Sequence, residues 1–104
     1  MKKTLLILPL ILCGCDSNAQ PNLDKSFTYH LGIVDCGYKH QGCRHYESFL
    51  KCEQDIRLSL QALTQKELNI MDEEIRANFG FGNDAISQMD SAARQVGASY
   101  AKCL

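Results

Sequence analysis

The sequence predicts a mainly α-helical fold: a small, disulfide-stapled helical hairpin or three-helix bundle with an irregular N-terminal segment. Apolar residues recur at three- and four-residue spacing over most of the second half of the 104 residues. A chain of this length buries only a modest core. Six cysteines, in a chain that begins like an exported protein, indicate that disulfides stabilise that core.

The first fourteen residues have the pattern of an export signal. Lys2 and Lys3 form a basic start, and a mainly apolar run of nine residues, 4–12, follows. A membrane-spanning helix needs roughly 20 apolar residues, so this run is too short to span and fits the hydrophobic part of a signal peptide. No second hydrophobic run follows. We therefore expect the mature chain to have no transmembrane helix.

The residues Leu12-Cys13-Gly14-Cys15 closely resemble the lipobox of bacterial lipoproteins, with leucine three positions before the cysteine and a small residue directly before it. The resemblance implies cleavage between Gly14 and Cys15, a diacylglycerol group on the Cys15 sulfur and an acyl chain on the new amino terminus. Each buried methylene adds about 0.8 kcal/mol of membrane affinity, and two lipid chains already anchor a protein stably. The lipobox thus predicts a mature chain held on the lipid bilayer through Cys15.

A second cleavage pattern is present. The stretch 17–19 fits a small-x-small site, which would release a soluble periplasmic protein after Ala19. Both cleavages leave the same four cysteines in the mature chain. Asp16 resembles the inner-membrane retention signal of enteric bacteria. It favours a location in the inner membrane, facing the periplasm.

The charge of the chain argues against nucleic acid as a partner. Loss of Lys2 and Lys3 with the signal leaves nine basic and twelve acidic residues, a net charge of −3. A mildly acidic protein has little affinity for a phosphate backbone, and it gains nothing from an anionic membrane surface. We expect an envelope protein as partner, in addition to the bilayer.

The segment 15–26 is polar and contains Pro21, which predicts a flexible tether before a domain at 27–104. Within 27–34, apolar side chains alternate with less apolar ones. This period of two indicates an extended segment lying across the helices, or a strand offered to the sheet edge of another protein. The stretch 35–43 contains Gly37 and Gly42 and is typical of a loop.

Three apolar stripes predict helices from Arg44 onward. The first contains Phe49, Cys52, Ile56, Leu60 and Leu63; the second Leu68, Met71, Ile75 and Phe79; the third Ile86, Met89, Ala93, Val96, Tyr100 and Cys103. Thr64 and Glu67 have the spacing of a capping box, which either starts a new helix or lies inside a long one. Gly80 can end a helix and Asn83 can cap the next. Gly97 lies beside the third stripe, where it can permit close helix approach.

The remaining cysteines, Cys36, Cys43, Cys52 and Cys103, allow three pairings. Cys36 and Cys43 flank the predicted loop. Cys52 and Cys103 lie on apolar faces that meet if the chain folds back at 80–83. We therefore predict Cys36–Cys43 with Cys52–Cys103, and the alternative is a crosswise bond from Cys36 or Cys43 to Cys103.

No pattern in the sequence predicts catalysis, a metal or a cofactor. His40, Cys43 and His45 lie near Asp35 and Cys36, but their spacing fits no standard zinc motif and disulfides compete for the cysteines. The carboxylates fall on amphipathic helices and are predicted to form solvated faces; they are Glu47, Glu53, Asp55 and the run 72–74. With no nucleophile motif, we expect a protein that is not an enzyme.

The stretch 64–69, TQKELN, resembles the Thr-Gln-x-Glu-(Leu/Met)-Asn signature of the LprI-type lysozyme-inhibitor domain. The resemblance implies a small, helical, cysteine-stapled exported module that binds a protein. For such a role we predict contacts from exposed loop residues, namely Tyr38, His40, His45 and above all Phe81. The alternative for Phe81 is that it packs under its turn. The alternative functions are an accessory or pilot lipoprotein and an exclusion or immunity lipoprotein of an envelope complex.

Overall fold

The computed structural model describes residues 20–103. It contains four α-helices, Phe27–Lys39 (α1), Tyr46–Gln61 (α2), Gln65–Asn78 (α3) and Ala85–Ala98 (α4). Single 3-10 turns lie at Leu23–Lys25, Cys43–His45 and Ala101–Cys103, and the described residues include no strand. The prediction of a mainly helical, disulfide-stapled fold is confirmed, with one helix more than predicted.

The additional helix is α1, which replaces the predicted extended segment or strand at 27–34 and most of the predicted loop at 35–43. Both of those predictions are wrong. Ser26 caps the helix, since its Oγ accepts a hydrogen bond from the Tyr29 amide at 3.1 Å. Asp72 of α3 accepts from the Ser26 hydroxyl and the Thr28 amide, both at 2.9 Å. The start of α1 is therefore held by its own cap and by α3.

Helix α1 occupies the centre of the domain, because α2, α3 and α4 all pack against it. Two of its glycines permit this packing. A Cβ on Gly32 would lie 2.8 Å from Ile56 Cδ1 of α2, and one on Gly37 would lie 2.3 Å from Val96 Cγ1 of α4. The close approach predicted at Gly97 is wrong, because no atom lies within 4 Å of a Cβ built there.

The domain begins inside the segment predicted to be a tether. Leu23 is buried in the core, and the Asn22 amide donates to Gln65 Oε1 at 2.7 Å. Ser26 is also buried. Of the predicted tether at 15–26, residues 15–19 lie outside the described residues.

Thr64 separates α2 from α3 through a complete capping box, as one of the two predicted alternatives requires. The Glu67 amide donates to Thr64 Oγ1 at 3.1 Å, and the Thr64 amide donates to Glu67 Oε1 at 2.8 Å. Leu68 follows as a fully buried core residue. A local signal of four residues therefore starts α3.

The turn between α3 and α4 ends one helix as predicted but starts the next differently. Gly80 has φ +75°, the left-handed conformation that commonly ends a helix. The cap predicted at Asn83 is wrong: Asp84 holds the N-cap position of α4, without a side-chain capping bond. Asn83 Oδ1 instead accepts from Arg76 Nη1 at 2.9 Å. Asn83 thus fixes the turn rather than the helix start.

Two disulfides staple the domain: Cys36–Cys52, the interhelix disulfide, and Cys43–Cys103, the terminal disulfide. The predicted pairing is wrong, and the terminal disulfide is the crosswise alternative. The prediction folded the last helix back onto α2, whereas α4 packs on α1 and carries Cys103 to Cys43. The interhelix disulfide joins α1 to α2. Loops of 16 and 60 residues correspond to stabilisation of about 3 and about 4 kcal/mol.

Candidate protein-binding surface

The turn at 79–82, which we name the aromatic turn, displays two phenylalanine rings to solvent. Phe79 is 59% exposed and Phe81 is 42% exposed. The Gly80 amide donates to the Ala77 carbonyl at 3.0 Å, and the Phe81 amide donates to the Arg76 carbonyl at 2.9 Å. This is the Schellman arrangement, which satisfies the last carbonyls of α3 and fixes the turn. The placement of Phe79 in a core stripe was wrong, because the chain turns away at the end of α3.

The rings of the aromatic turn also contact each other and the core. Phe79 and Phe81 are stacked, with centroids 6.0 Å apart. Phe81 meets Phe27 edge-to-face at 5.7 Å, and Phe27 is only 1% exposed. Phe81 thus combines the two predicted arrangements, since one part of its ring packs on the core and another part is free for a partner.

The other predicted contact residues lie at or beyond the C-terminal end of α1, whereas Phe81 contacts Phe27 at its N-terminal end. Tyr38, in its last turn, is 77% exposed, and His45 is exposed beside the terminal disulfide. His40 is half-buried, and its carbonyl accepts a hydrogen bond from the Tyr100 hydroxyl. Because thirteen residues of helix extend about 20 Å, these three residues cannot share one contact with Phe81. The structure therefore contains two separate candidate surfaces.

A shallow groove runs between α1 and α2. It consists of two adjoining hollows of about 490 and about 290 Å³ that share Asp55 and Ile56. Charged side chains line one hollow, and two of them, Asp35 and Lys39, form an ion pair at 3.1 Å. The groove is open to solvent, and His40 lines the same hollow as this ion pair.

The candidate metal residues are placed in other roles. Cys36 and Cys43 are bonded in disulfides. Within residues 20–103, no group of three or more histidine, cysteine, aspartate or glutamate side chains is arranged to hold a metal ion. His40 and His45 therefore have no ligand set around them in this part of the chain.

Several predicted solvent-facing carboxylates have structural partners. Asp72 caps α1, so its assignment to a solvated face is wrong. Glu53 lies 3.4 Å from Arg57, which donates to the Tyr29 hydroxyl at 2.8 Å. Burial raises the pKa of the Tyr29 hydroxyl, the Arg57 charge opposes that shift, and Glu53 adds to it. Glu73 and Glu74 are exposed, as predicted for the rest of the run at 72–74.

His30 is a buried polar residue that the sequence did not single out. It is 7% exposed, and its Nε2 lies 2.7 Å from the Asp24 carbonyl oxygen and 3.4 Å from Asp90 Oδ1. It thereby joins the turn before α1 to α4. The period-two interpretation placed His30 opposite the apolar side chains. The helical spacing of Phe27, His30 and Ile33 is the signal that would have placed it in the core.

The polar residues of the 64–69 motif have local structural roles. Thr64 and Glu67 form the capping box, and Gln65 Nε2 donates to Asn69 Oδ1 at 2.9 Å. Gln65 Oε1 also accepts a hydrogen bond from the Asn22 amide. The motif therefore starts α3 and fastens the N-terminal segment to it.

The predicted lipidation site lies outside the described residues, together with both cleavage sites and Asp16. Among the helices at 20–103, none has the length and apolar character needed to cross a bilayer. Comparison of the chain with protein-family models, curated proteins and solved structures finds no match in any of the three.

Proposed function

We propose that this chain is a bacterial lipoprotein, anchored through Cys15 and facing the periplasm, whose helical domain binds another envelope protein without catalysing a reaction. The inner membrane is the location that Asp16 favours. The observation that carries the binding role is the aromatic turn, where Phe79 is mostly exposed and Phe81 is partly exposed on a backbone fixed by hydrogen bonds. Inhibition of a lysozyme is the specific form suggested by the 64–69 motif.

Burial of the exposed parts of the two rings against a partner would contribute substantially to the free energy of binding. A phenylalanine side chain has an area of about 200 Å², so at their exposures of 59% and 42% the two rings leave about 200 Å² in water. Complete burial against a partner would contribute about 5 kcal/mol before the losses of association are subtracted. Because the Schellman turn already orders this segment, binding loses little conformational entropy there.

The tether limits where such a partner lies. Seven residues from Cys15 to Asn22 span at most about 25 Å. Asn22 contacts Gln65, the first residue of α3, and the aromatic turn follows the last residue of this helix, which is about 21 Å long. When the hydrogen bond and the Gln65 side chain that join them are included, these lengths place the aromatic turn within about 55 Å of the anchoring sulfur. A protein in the membrane or close to its surface is the partner that this geometry allows.

The intact mass of the protein recovered from membranes tests the anchor. We expect a chain that begins at an acylated Cys15 and contains two disulfides, and we expect Cys15→Ser to leave the membrane fraction. A mature chain that begins at Gln20 without lipid would establish the soluble periplasmic alternative instead.

Truncation of the aromatic turn tests the binding role. The full-length protein is crosslinked in the native envelope and recovered with its partners. We expect Phe79→Ala/Phe81→Ala to reduce partner recovery about tenfold, because two aromatic contact residues are lost. Leu58→Ala is the matched control, since Leu58 is 57% exposed on α2. Equal partner recovery with both variants would show that the aromatic turn does not bind the partner. Inhibition of a lysozyme by the purified protein tests the inhibitor form directly.

A further inference from the structure

We infer that the aromatic turn docks into an apolar pocket bordered by lysine or arginine side chains on a protein partner. This inference rests on the proposed binding function and adds the chemistry of the partner. It follows from the charges around Phe79 and Phe81 together with the exposure of the two rings.

The segment 67–84, which ends at the aromatic turn and its flanks, is strongly acidic. It contains one basic residue, Arg76, and five carboxylates: Glu67, Asp72, Glu73, Glu74 and Asp84. Its net charge is −4. The rest of residues 20–103 contains eight basic and six acidic residues, a net charge of +2. The negative charge of the domain is thus concentrated on the elements that present the two rings.

Three carboxylates of this segment form no ion pair within residues 20–103, although Lys25 lines a hollow together with Asp72 and Glu73. Glu73, Glu74 and Asp84 are exposed, and the ion pairs found in residues 20–103 all lie outside the segment 67–84. Arg76 is half-buried and donates to Asn83, which directs its charge into the turn. An approaching surface therefore meets two apolar rings at the end of a helix that carries unpaired carboxylates.

This combination favours a basic protein surface over the other possible occupants. An anionic membrane would be repelled by the acidic segment, although the rings alone would suit the bilayer interface. A second copy of this chain would place one acidic segment against another in a symmetric contact. An apolar pocket with a basic rim matches both features, because the pocket buries the rings and the rim pairs with the carboxylates.

In the experiment, a benzophenone amino acid is introduced into the full-length, acylated protein in living cells at position 79. Positions 38 and 58 serve as exposed sites on other surfaces. The yield of crosslinked adduct at position 79 is then compared between two double variants, Glu73→Lys/Glu74→Lys and the control Glu47→Lys/Asp55→Lys. The second pair changes the net charge equally, at exposed carboxylates of α2. Non-reducing mass analysis and circular dichroism confirm that both variants keep two disulfides and the helical fold.

We expect a protein adduct at position 79 that falls at least about fivefold in Glu73→Lys/Glu74→Lys and is unchanged in the control pair, as rim charges predict. A phospholipid adduct, a dimer of this chain, or a protein adduct indifferent to the charge reversal would overturn the inference. Protein adducts at position 38 or 58 alone would also overturn it while leaving the proposed binding function intact. If no adduct forms at position 38, 58 or 79, the result would contradict both this inference and the proposed binding function.

Discussion

Replacing Gly37 with alanine tests the close contact between α1 and α4. Gly37 lies on the buried face of α1, and a Cβ there would approach Val96 Cγ1 to 2.3 Å. Real side-chain carbons do not come this close, so the helices must separate or Val96 must leave its position. A β-branched side chain has few rotamers, which makes the second adjustment difficult.

Two opposing effects determine the size of the change. Alanine is the better helix former and favours the folded state by about 1 kcal/mol over glycine. Forcing an extra methyl group into a packed core costs about 1–3 kcal/mol and occasionally more. With the carbon placed at 2.3 Å, the upper part of that range applies. We therefore expect Gly37→Ala to lower the free energy of unfolding by about 1–2 kcal/mol, after the gain in helix propensity is subtracted.

The assay is equilibrium denaturation of the oxidised protein in urea, followed by circular dichroism. Gly97→Ala is the control, because a Cβ on Gly97 meets no atom within 4 Å and the change should leave stability equal or higher. In the Gly37→Ala background, Val96→Ala should be much less damaging than it is alone, since it removes the clashing atoms. A Gly37→Ala protein as stable as the parent would refute the proposed contact.

Three further predictions concern the cap, the disulfides and the buried tyrosines. Thr64→Ala should lower the free energy of unfolding by about 1 kcal/mol, while Thr64→Ser should not, and equal denaturation curves would contradict the capping role. Under graded reductant, the terminal disulfide should open before the interhelix disulfide, because Cys43 is exposed and Cys36 is fully buried. Alkylation followed by mass analysis reports the order, and earlier labelling of Cys36 would be the opposite result. Stability should decline as pH rises above about 10, because burial raises the pKa of Tyr29 and of Tyr100 and the unfolded chain therefore loses these protons first. Denaturation curves across this range should show a smaller decline for Tyr100→Phe, and a stability independent of pH there would contradict the assignment.

The residues that form the candidate site were only partly predictable. The sequence singled out Phe81, because an aromatic residue between two glycines is typical of an exposed turn. It assigned Phe79 to the core, because Phe79 continues the apolar spacing of α3. The structure shows that the helix ends at Asn78, so that the last residue of the stripe is 59% exposed. At Phe79 the stripe fails because the chain leaves the helix and turns away from the core at that residue.

The sequence by itself determined that the chain from 44 onward is helical, with a capping-box pattern at Thr64 and a helix end at Gly80, while it left open whether α2 and α3 are separate helices. These features depend on residues within one or two turns of each other. Each of α2, α3 and α4 turns one apolar side toward the domain, so each has a simple stripe. The lipobox is local in the same sense, and its chemistry remains a prediction about residues before the described part of the chain.

Only the tertiary structure decided the conformation of α1, the burial of His30 and the pairing of the cysteines. Three helices surround α1, so its buried residues occupy much of its circumference, and its first eight residues also fit a period of two. Disulfide pairing depends on which helices lie side by side, and that arrangement follows from α1 being a helix. Once α4 packs on α1 instead of α2, Cys103 meets Cys43, an outcome that no local spacing contains.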